Sequence, residues 1–310
     1  MASPQHGFSK HDLGMVIVSL LWGANFAVNK YGVGAVPPLA FAAIRFVLAS
    51  VLLGIVVAVL KPGRPVPRRT VWLLAGLGVI GNTAYQITFM LGLVTTSAIN
   101  ASLIMAALPA LVAVLGWAFG VERTTARTWV GIVVATAGVG LVIAAKGIAF
   151  SASTIVGDLL VLAAVLCWAA FTVGVRWVGR GHDPIRVTTI TVVGGTPGLI
   201  LAALPTIGRV HPAELTTGAW LAIGYSAVFA IVIAYLLWNF AVQGIGGNRT
   251  AIYNCVTPVV AAVTAWYLLD EGLHPAQVGG AALVIVGVLI SQGVGRLPTR
   301  PAPSVPVPEP

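Results

Sequence analysis

The sequence predicts an all-α integral membrane protein with ten transmembrane helices, arranged as two inverted five-helix repeats. Three observations lead to this fold class: an extreme composition, ten separate apolar runs and an internal repeat. Of the 310 residues, 58% are hydrophobic and 8% are charged, and the mean hydropathy is +0.98, whereas soluble domains have about 25% charged residues. So little charge cannot cover the surface of a soluble fold of this size, which indicates residence in a lipid bilayer.

The apolar runs have the length of membrane-spanning helices, which need about 20 mostly apolar residues. The predicted spans are 13–31, 38–60, 71–91, 98–119, 128–146, 158–178, 187–206, 218–240, 250–269 and 275–294. The seventh is the weakest, because it contains Thr188, Thr189, Thr191 and Pro197.

Lysine and arginine are distributed unevenly between alternate loops. With the N-terminus in the cytoplasm, the cytoplasmic segments hold Lys10, Lys61, Arg64, Arg68, Arg69, Arg123, Arg127, Arg176, Arg180, Arg186, Arg249, Arg296 and Arg300. The external segments hold only Lys30, Lys146 and Arg209, and Arg45 lies within the second span. This excess predicts a multi-pass protein of the cell (inner) membrane with both termini in the cytoplasm.

The chain repeats itself. At an offset of 146 residues the matched pairs are Asp12 and Asp158, Trp22 and Trp168, Lys30 and Arg176, and Pro38 and Pro184. At an offset of 149 they are Pro109 and Pro258, Glu122 and Glu271, Gly131 and Gly280, and Gly138 and Gly287. The sequence therefore predicts repeats at 12–146 and 158–294, followed by a Pro-rich, disordered cytoplasmic tail at 295–310. Because five spans is an odd number, the second repeat must enter the membrane inverted, as in many secondary transporters.

Three segments carry a family resemblance: LLWGANFAVNK in the first span, PPLAFAAIRF at the second, and VTPVVAAVTAWYLLDEGLHPAQVGGAALVIVGVLI near the end. They resemble the EamA-type branch of the drug/metabolite transporter superfamily. The resemblance implies a central cavity, alternating access and transport of a small organic metabolite, with export as the expected direction. The second copy departs from the motif, because WAAFTVGVR stands where the first has WGANFAVNK.

Polar residues within the spans are the candidate substrate-binding residues, since polar groups at membrane depth usually face a bundle interior or a cavity. On the first span, Ser19, Trp22, Asn25, Phe26 and Asn29 form one helical stripe. The candidates are Trp22, Asn25, Asn82, Tyr85, Gln86, Trp168, Tyr235, Trp238, Asn239, Tyr253 and Asn254. The alternative for each is hydrogen bonding between helices.

Three further features have a structural and a functional interpretation. Pro109 and Pro258 are predicted hinges around the site, with static kinks as the alternative. Arg45 either contacts an anionic substrate group or makes structural contacts, and the structural role is favoured partly because an arginine at this place resembles a general feature of the family. Glu122 and Glu271 follow spans four and nine, where a carboxylate stabilises a helix N-terminus.

The predicted function is secondary transport of a small neutral or zwitterionic metabolite, such as an amino acid, through a central cavity between the repeats. A neutral or zwitterionic solute is expected because the eight carboxylates all fall at span boundaries, in loops or in the tail. The alternative is a polytopic membrane enzyme acting on a lipid-linked substrate, although neither G-x-S-x-G nor H-E-x-x-H occurs. The expected partners are the solute and the lipid bilayer, with no nucleic acid, cofactor or metal, and the oligomeric state stays open.

Overall fold

A computed structural model describes residues 9–120, 126–144, 152–245, 250–251, 253–272 and 274–292. Within these residues the regular structure is helical throughout. The α-helices are α1 (Lys10–Ala35), α2 (Pro38–Leu60), α3 (Arg68–Thr95), α4 (Ala98–Met105), α5 (Leu108–Ala118), α6 (Ala126–Ala144), α7 (Ala152–Val178), α8 (Pro184–Ile207), α9 (Thr217–Ile245), α10 (Thr257–Leu269) and α11 (Pro275–Gln292). Short 3-10 turns cover Pro212–Glu214 and Tyr253–Cys255.

Helices lie at each predicted span within the described residues, and 7 of the helical stretches are long and apolar enough to cross a membrane. These seven are α1, α2, α3, α4 together with α5, α7, α8 and α9, whereas the apolar parts of α6, α10 and α11 are shorter. The protein is therefore a multi-pass membrane protein. The predicted tail at 295–310 and Glu122 lie outside the described residues.

Large apolar side chains cover the outer surface of the bundle. Trp72, Trp177 and Tyr267 are 77%, 76% and 80% exposed. An apolar surface of this extent fits contact with lipid and not with water.

Two helices are interrupted next to prolines. The span predicted at 98–119 breaks at Ala106–Ala107: the Ala106 N–H is shared between the carbonyl oxygens three and four residues back, and the Ala107 N–H bonds the one three residues back. Pro109 is the second residue of α5, so its missing N–H falls in a first turn, where no intrahelical bond is needed. Pro258 is likewise the second residue of α10, after the 3-10 turn. Both prolines therefore begin a half-helix, and neither bends a continuous one.

Two other helices contain a widened turn. Val79–Ala84 in α3 and Ser226–Ile233 in α9 form π-helical segments. Such turns shift the register of the side chains that follow and occur often at functional sites. In both helices, residues that face the interior cavity described below lie within the widened turn or just after it.

Glycines allow the closest helix contacts. A Cβ on Gly138 of α6 would lie 2.8 Å from the Gly280 carbonyl oxygen of α11, and a Cβ on Gly287 would lie 2.6 Å from the Gly131 carbonyl oxygen. Side chains are thus excluded at both crossings, which lets the two helices pack backbone to backbone. In the WGAN motif, a Cβ on Gly23 would lie 2.4 Å from Val260 Cβ, so this glycine brings α1 against α10.

Candidate functional site

A cavity lies where α1 meets the interrupted and widened helices. Its wall consists of Trp22, Asn25, Phe26, Asn29, Arg45, Tyr85, Gln86, Phe89, Ser102, Met105, Trp168, Ala230, Ile231, Tyr235, Asn254 and Thr257. Ser102 and Met105 come just before one helix break, and Asn254 and Thr257 flank the other. The cavity volume is about 50 Å³, which is room for only a few water molecules.

The α1 wall of the cavity follows the stripe predicted from the sequence. Trp22, Asn25, Phe26 and Asn29 line the cavity, and Trp22 Nε1 donates to the carbonyl oxygen of Ala230 at 2.9 Å. That carbonyl belongs to the widened turn of α9. The hydroxyl of Ser226 lies 2.8 Å from Asn25 Oδ1 and 3.2 Å from Asn29 Oδ1.

Ser19, the remaining member of the stripe, instead donates to the carbonyl oxygen of Tyr253 at 2.8 Å. It thereby joins α1 to the 3-10 turn that precedes α10.

Arg45 places a positive charge in the cavity wall. Its side chain is fully buried, at 0% exposure. Nη1 donates to Asn29 Oδ1 at 2.6 Å, and Nη2 donates to Gln86 Oε1 at 2.5 Å and approaches Met90 Sδ at 3.6 Å. The guanidinium carbon also lies 5.0 Å from the ring centroid of Phe41. The sequence favoured a structural role for Arg45, and the structure shows both such contacts and a place for its side chain in the cavity wall.

Aromatic side chains form the opposite part of the wall. Trp168 lies at the centre of this group, with its ring centroid 5.6 Å from that of Trp22, 5.2 Å from Tyr85 and 5.1 Å from Tyr235. Trp238 packs behind them, 5.1 Å from Trp22. The cavity therefore has an amide-rich and cationic part next to an aromatic part.

Polar groups that lack a hydrogen-bond partner within the described residues point to where a solute can bind. Three of them belong to the cavity wall: Arg45 Nε, Trp168 Nε1 and the Thr257 hydroxyl. Trp168 is 2% exposed and Thr257 is 4% exposed. Buried polar groups are rarely left unpaired in proteins, so each is available to a bound molecule.

The structure brings seven of the predicted binding residues into the wall and places four elsewhere. Trp22, Asn25, Tyr85, Gln86, Trp168, Tyr235 and Asn254 line the cavity. Asn82 donates to the Thr191 carbonyl oxygen at 2.8 Å, and Asn239 donates to Thr188 Oγ1 at 2.8 Å, so both join their helices to α8. The Tyr253 hydroxyl donates to Asp12 Oδ1 at 2.7 Å, and Trp238 forms the second layer behind Trp22.

Some wall residues were not among the sequence candidates. Ser102 and Met105 were missed, although Ser102 is a polar residue two turns before Pro109, which was a usable signal. Ala230 and Ile231 carry no side-chain signal and reach the cavity because of the widened turn in α9.

Polar side chains close the bundle at the end where α1 finishes. We call this group, formed by Lys30, Thr96, Asn100, Asp158, Glu271 and Gln277, the distal cluster. Thr96 Oγ1 lies 2.5 Å from Asp158 Oδ1, and Asn100 Nδ2 donates to the same oxygen at 2.7 Å. Asp158 was expected at a span boundary, but α7 begins at Ala152, so the carboxylate lies in the second turn of the helix and is buried.

Two members of the distal cluster cap helices. Both carboxylate oxygens of Glu271 accept backbone N–H groups, from Ala98 and Ile99, at 3.1 Å each. The sequence predicted that Glu271 would favour the helix that follows it, whereas it caps α4. Lys30 Nζ donates to the Leu93 and Thr96 carbonyl oxygens at 2.7 Å each, where a cation complements the end of α3.

At the other end of the bundle, Asp12 joins the start of α1 to the turn before α10. Ser9 and Asp12 form a capping box, in which the Ser9 N–H donates to Asp12 Oδ2 at 2.9 Å. The other carboxylate oxygen accepts from Tyr253. The cavity therefore lies between two polar closures.

Comparisons with known proteins decide the family. The EamA-like transporter family model matches residues 9–144 and 155–292. The chain belongs to the EamA-like transporter family. The resemblance found in the sequence is thereby confirmed, and membership in this family identifies a transport protein and not the polytopic enzyme that was the alternative.

Similar proteins occur in bacteria, archaea and plants. "Uncharacterized transporter YyaM" of Bacillus subtilis (strain 168) is 34% identical, over 90% of this chain and 92% of its own length. An "uncharacterized transporter" of Archaeoglobus fulgidus is 30% identical, over 91% and 97%. "WAT1-related protein At3g02690, chloroplastic" of Arabidopsis thaliana is 28% identical, over 87% and 66%.

A crystal structure with 20% identity superposes with a TM-score of 0.63 over 89% of this chain and 94% of that one. At this level of identity, the match shows a common fold.

Proposed function

We propose that this EamA protein is a secondary transporter of a small neutral or zwitterionic metabolite, with amino acids as the leading candidates. The solute binds in the cavity, which opens alternately to either side of the cell (inner) membrane. The proposal includes ten membrane-spanning helices in two inverted five-helix repeats, 12–146 and 158–294. Both termini are in the cytoplasm, and export is the proposed direction.

The observation that carries this proposal is the position of the cavity at two helix interruptions. Transporters with inverted repeats bind their solutes near the bilayer midplane, at discontinuous helices whose free backbone groups face a cavity. Here the breaks before Pro109 and Pro258 both supply wall residues, one from each half of the chain. The paired positions of the two widened turns, in α3 and α9, support the same two-repeat organisation.

The size of the cavity supports a cycle with closed and open states. A volume of about 50 Å³ is too small for an amino acid, so binding requires the helices to separate. The distal cluster and the Asp12–Tyr253 contact are proposed as the two closures, since each joins different helical segments through hydrogen bonds between side chains. Pro109 and Pro258 are the proposed hinges, because a short half-helix begins at each.

Reconstitution tests the proposal. Purified protein in liposomes is expected to equilibrate at least one member of a panel of labelled amino acids and small polar metabolites faster than empty liposomes. A folded, monodisperse preparation that moves no member of a broad panel would overturn the transport function.

Two asparagine variants test the cavity itself. Asn254→Ala removes a wall amide and is expected to raise KM, whereas Asn239→Ala removes an amide that contacts Thr188 outside the cavity. Asn239→Ala is therefore expected to lower thermal stability with little change in KM. If the two variants change KM equally, solute does not bind at this wall.

A further inference from the structure

The charge balance of the cavity wall narrows the class of solute. Arg45 is fully buried, and its polar contacts within the described residues are two neutral amide oxygens and one thioether sulfur. A guanidinium has five N–H donors. Nε–H has no acceptor, and Nη1 uses one of its two hydrogens on Asn29.

Buried charges in proteins are normally paired with an opposite charge. In the part of the chain that the structure describes, no carboxylate lies within ion-pairing distance of Arg45, and amide oxygens orient a guanidinium without neutralising it. The positive charge is therefore uncompensated at the wall of the cavity that the solute must enter.

We propose that Arg45 binds a carboxylate group of the transported solute. A carboxylate forms charge-assisted hydrogen bonds with guanidinium N–H groups, and the unpaired Nε–H together with the second hydrogen of Nη1 is left to donate to it. The contacts to Asn29, Gln86 and Phe41 hold the guanidinium in place before the solute arrives. This inference rests on the proposed transport function.

The rest of the cavity wall is proposed to contact the part of the solute that lies beyond its carboxylate. The aromatic group of Trp22, Trp168 and Tyr235 offers apolar ring surface to the remainder of the molecule. Although aromatic rings also attract organic cations, a fixed guanidinium in the same small cavity repels them. The solute is thus a zwitterion that carries a carboxylate and an apolar or aromatic portion, and a purely cationic amine is excluded.

Matched acid and amide pairs test this assignment in proteoliposomes. The probes are L-phenylalanine with L-phenylalaninamide, L-leucine with L-leucinamide, and 3-phenylpropionate with 3-phenylpropionamide. Competition by each probe is measured against whichever panel solute the wild type transports. Within each pair that competes, the acid is expected to do so about tenfold more strongly, which matches one charged hydrogen-bonded contact.

Variants separate binding from a structural role. Arg45→Gln is expected to reduce transport of a carboxylate-bearing solute about tenfold or more and to leave inhibition by 3-phenylpropionamide, the amide without a charge, within about twofold. Arg45→Lys keeps the charge, so it is expected to retain part of the preference for acids. Arg186→Gln is the control, because Arg186 donates to the Pro62 carbonyl oxygen outside the cavity.

The outcomes distinguish the two proposals. Equal competition by acids and amides in the wild type overturns the carboxylate assignment while transport stands, as does an equal loss for both classes in Arg45→Gln. A wild type that transports nothing from the panel overturns the transport function, and the carboxylate assignment with it. The wild-type comparison needs no variant to fold.

Discussion

Trp22 and Trp168, which occupy equivalent positions in the two halves of the sequence, meet edge to face with their ring centroids 5.6 Å apart. The hydrogen bonding of their indole N–H groups nevertheless differs. Trp22 Nε1 donates to the Ala230 carbonyl oxygen, whereas Trp168 Nε1 has no partner within the described residues. The two halves thus contribute the same side chain to one cavity, but within the described residues only the first indole N–H has a protein acceptor.

This difference predicts that substitution by phenylalanine mainly lowers stability at Trp22 and mainly raises KM at Trp168. Trp22→Phe removes the hydrogen bond to the Ala230 carbonyl oxygen and is expected to cost about 1 kcal/mol more stability than Trp168→Phe. Trp168→Phe removes an unpaired N–H that we propose donates to the solute, so it is expected to raise KM about fivefold to tenfold. Thermal unfolding in detergent and transport kinetics in liposomes measure the two effects. Equal stability and equal KM for the two variants would contradict the assignment.

Glu271 is expected to stabilise the distal closure. Glu271→Ala removes both acceptors for the Ala98 and Ile99 N–H groups and should cost about 1–2 kcal/mol, the range for losing a helix cap. Glu271→Gln keeps an acceptor oxygen and should cost less. Asp270→Asn is the neighbouring control, since its side chain is exposed and asparagine tolerates the left-handed backbone at φ 53°. A loss in the control as large as in Glu271→Ala would argue against capping.

The contact between α6 and α11 depends on particular glycines. A Cβ at Gly287 would lie 2.3 Å from the Ala135 backbone nitrogen, but at Gly279 the nearest atom would be Leu141 Cδ2 at 3.7 Å. Gly287→Val should therefore cost about 1–3 kcal/mol through overpacking, while Gly279→Val should be nearly neutral. Both variants are valines in the same helix, so intrinsic helix propensity cancels. Melting temperatures that fall equally would show that the crossing tolerates a side chain.

The orientation predicted from loop charge can be tested by cysteine labelling. With Cys167 and Cys255 replaced by serine, Arg64→Cys and Ala213→Cys each introduce one exposed thiol, in the 61–67 and 208–216 connections. The first should react with an impermeant maleimide only in permeabilised cells, and the second in intact cells. The reverse pattern would show that the N-terminus faces outward.

The sequence predicted cavity residues correctly where they lie on a regular α-helix. Its predictions were wrong where the helix is irregular. The stripe on α1 follows α-helical spacing, so Trp22 and Asn25 were placed correctly beside the cavity. Asn82 lies inside the widened turn of α3, which rotates it away from Tyr85 and Gln86 towards α8. Tyr253 lies in a 3-10 turn, where α-helical spacing does not apply.

Contacts between distant helices were not readable from the sequence. The pattern of polar and apolar residues shows which residues share a face of one helix, but it does not show which other helix packs against that face. It therefore could not show that Arg45 reaches Asn29 and Gln86. It also placed Asp158 at a span boundary, because the predicted span began at residue 158. The helix begins six residues earlier, and Asp158 binds Thr96 and Asn100 of another helix.

Because Asp158 is buried, its role in coupling transport to a proton gradient can be tested directly. Carriers driven by protons commonly titrate a membrane-embedded carboxylate, but Asp158 and Asp12 belong to the two closures and neither is in the cavity wall. We therefore expect solute to move down its own gradient, with little uphill accumulation when a pH gradient is imposed. Asp12→Asn and Asp158→Asn should retain this downhill flux, although weaker closures should lower their stability. Strong accumulation driven by the pH gradient, abolished by either substitution, would identify that carboxylate as the coupling group.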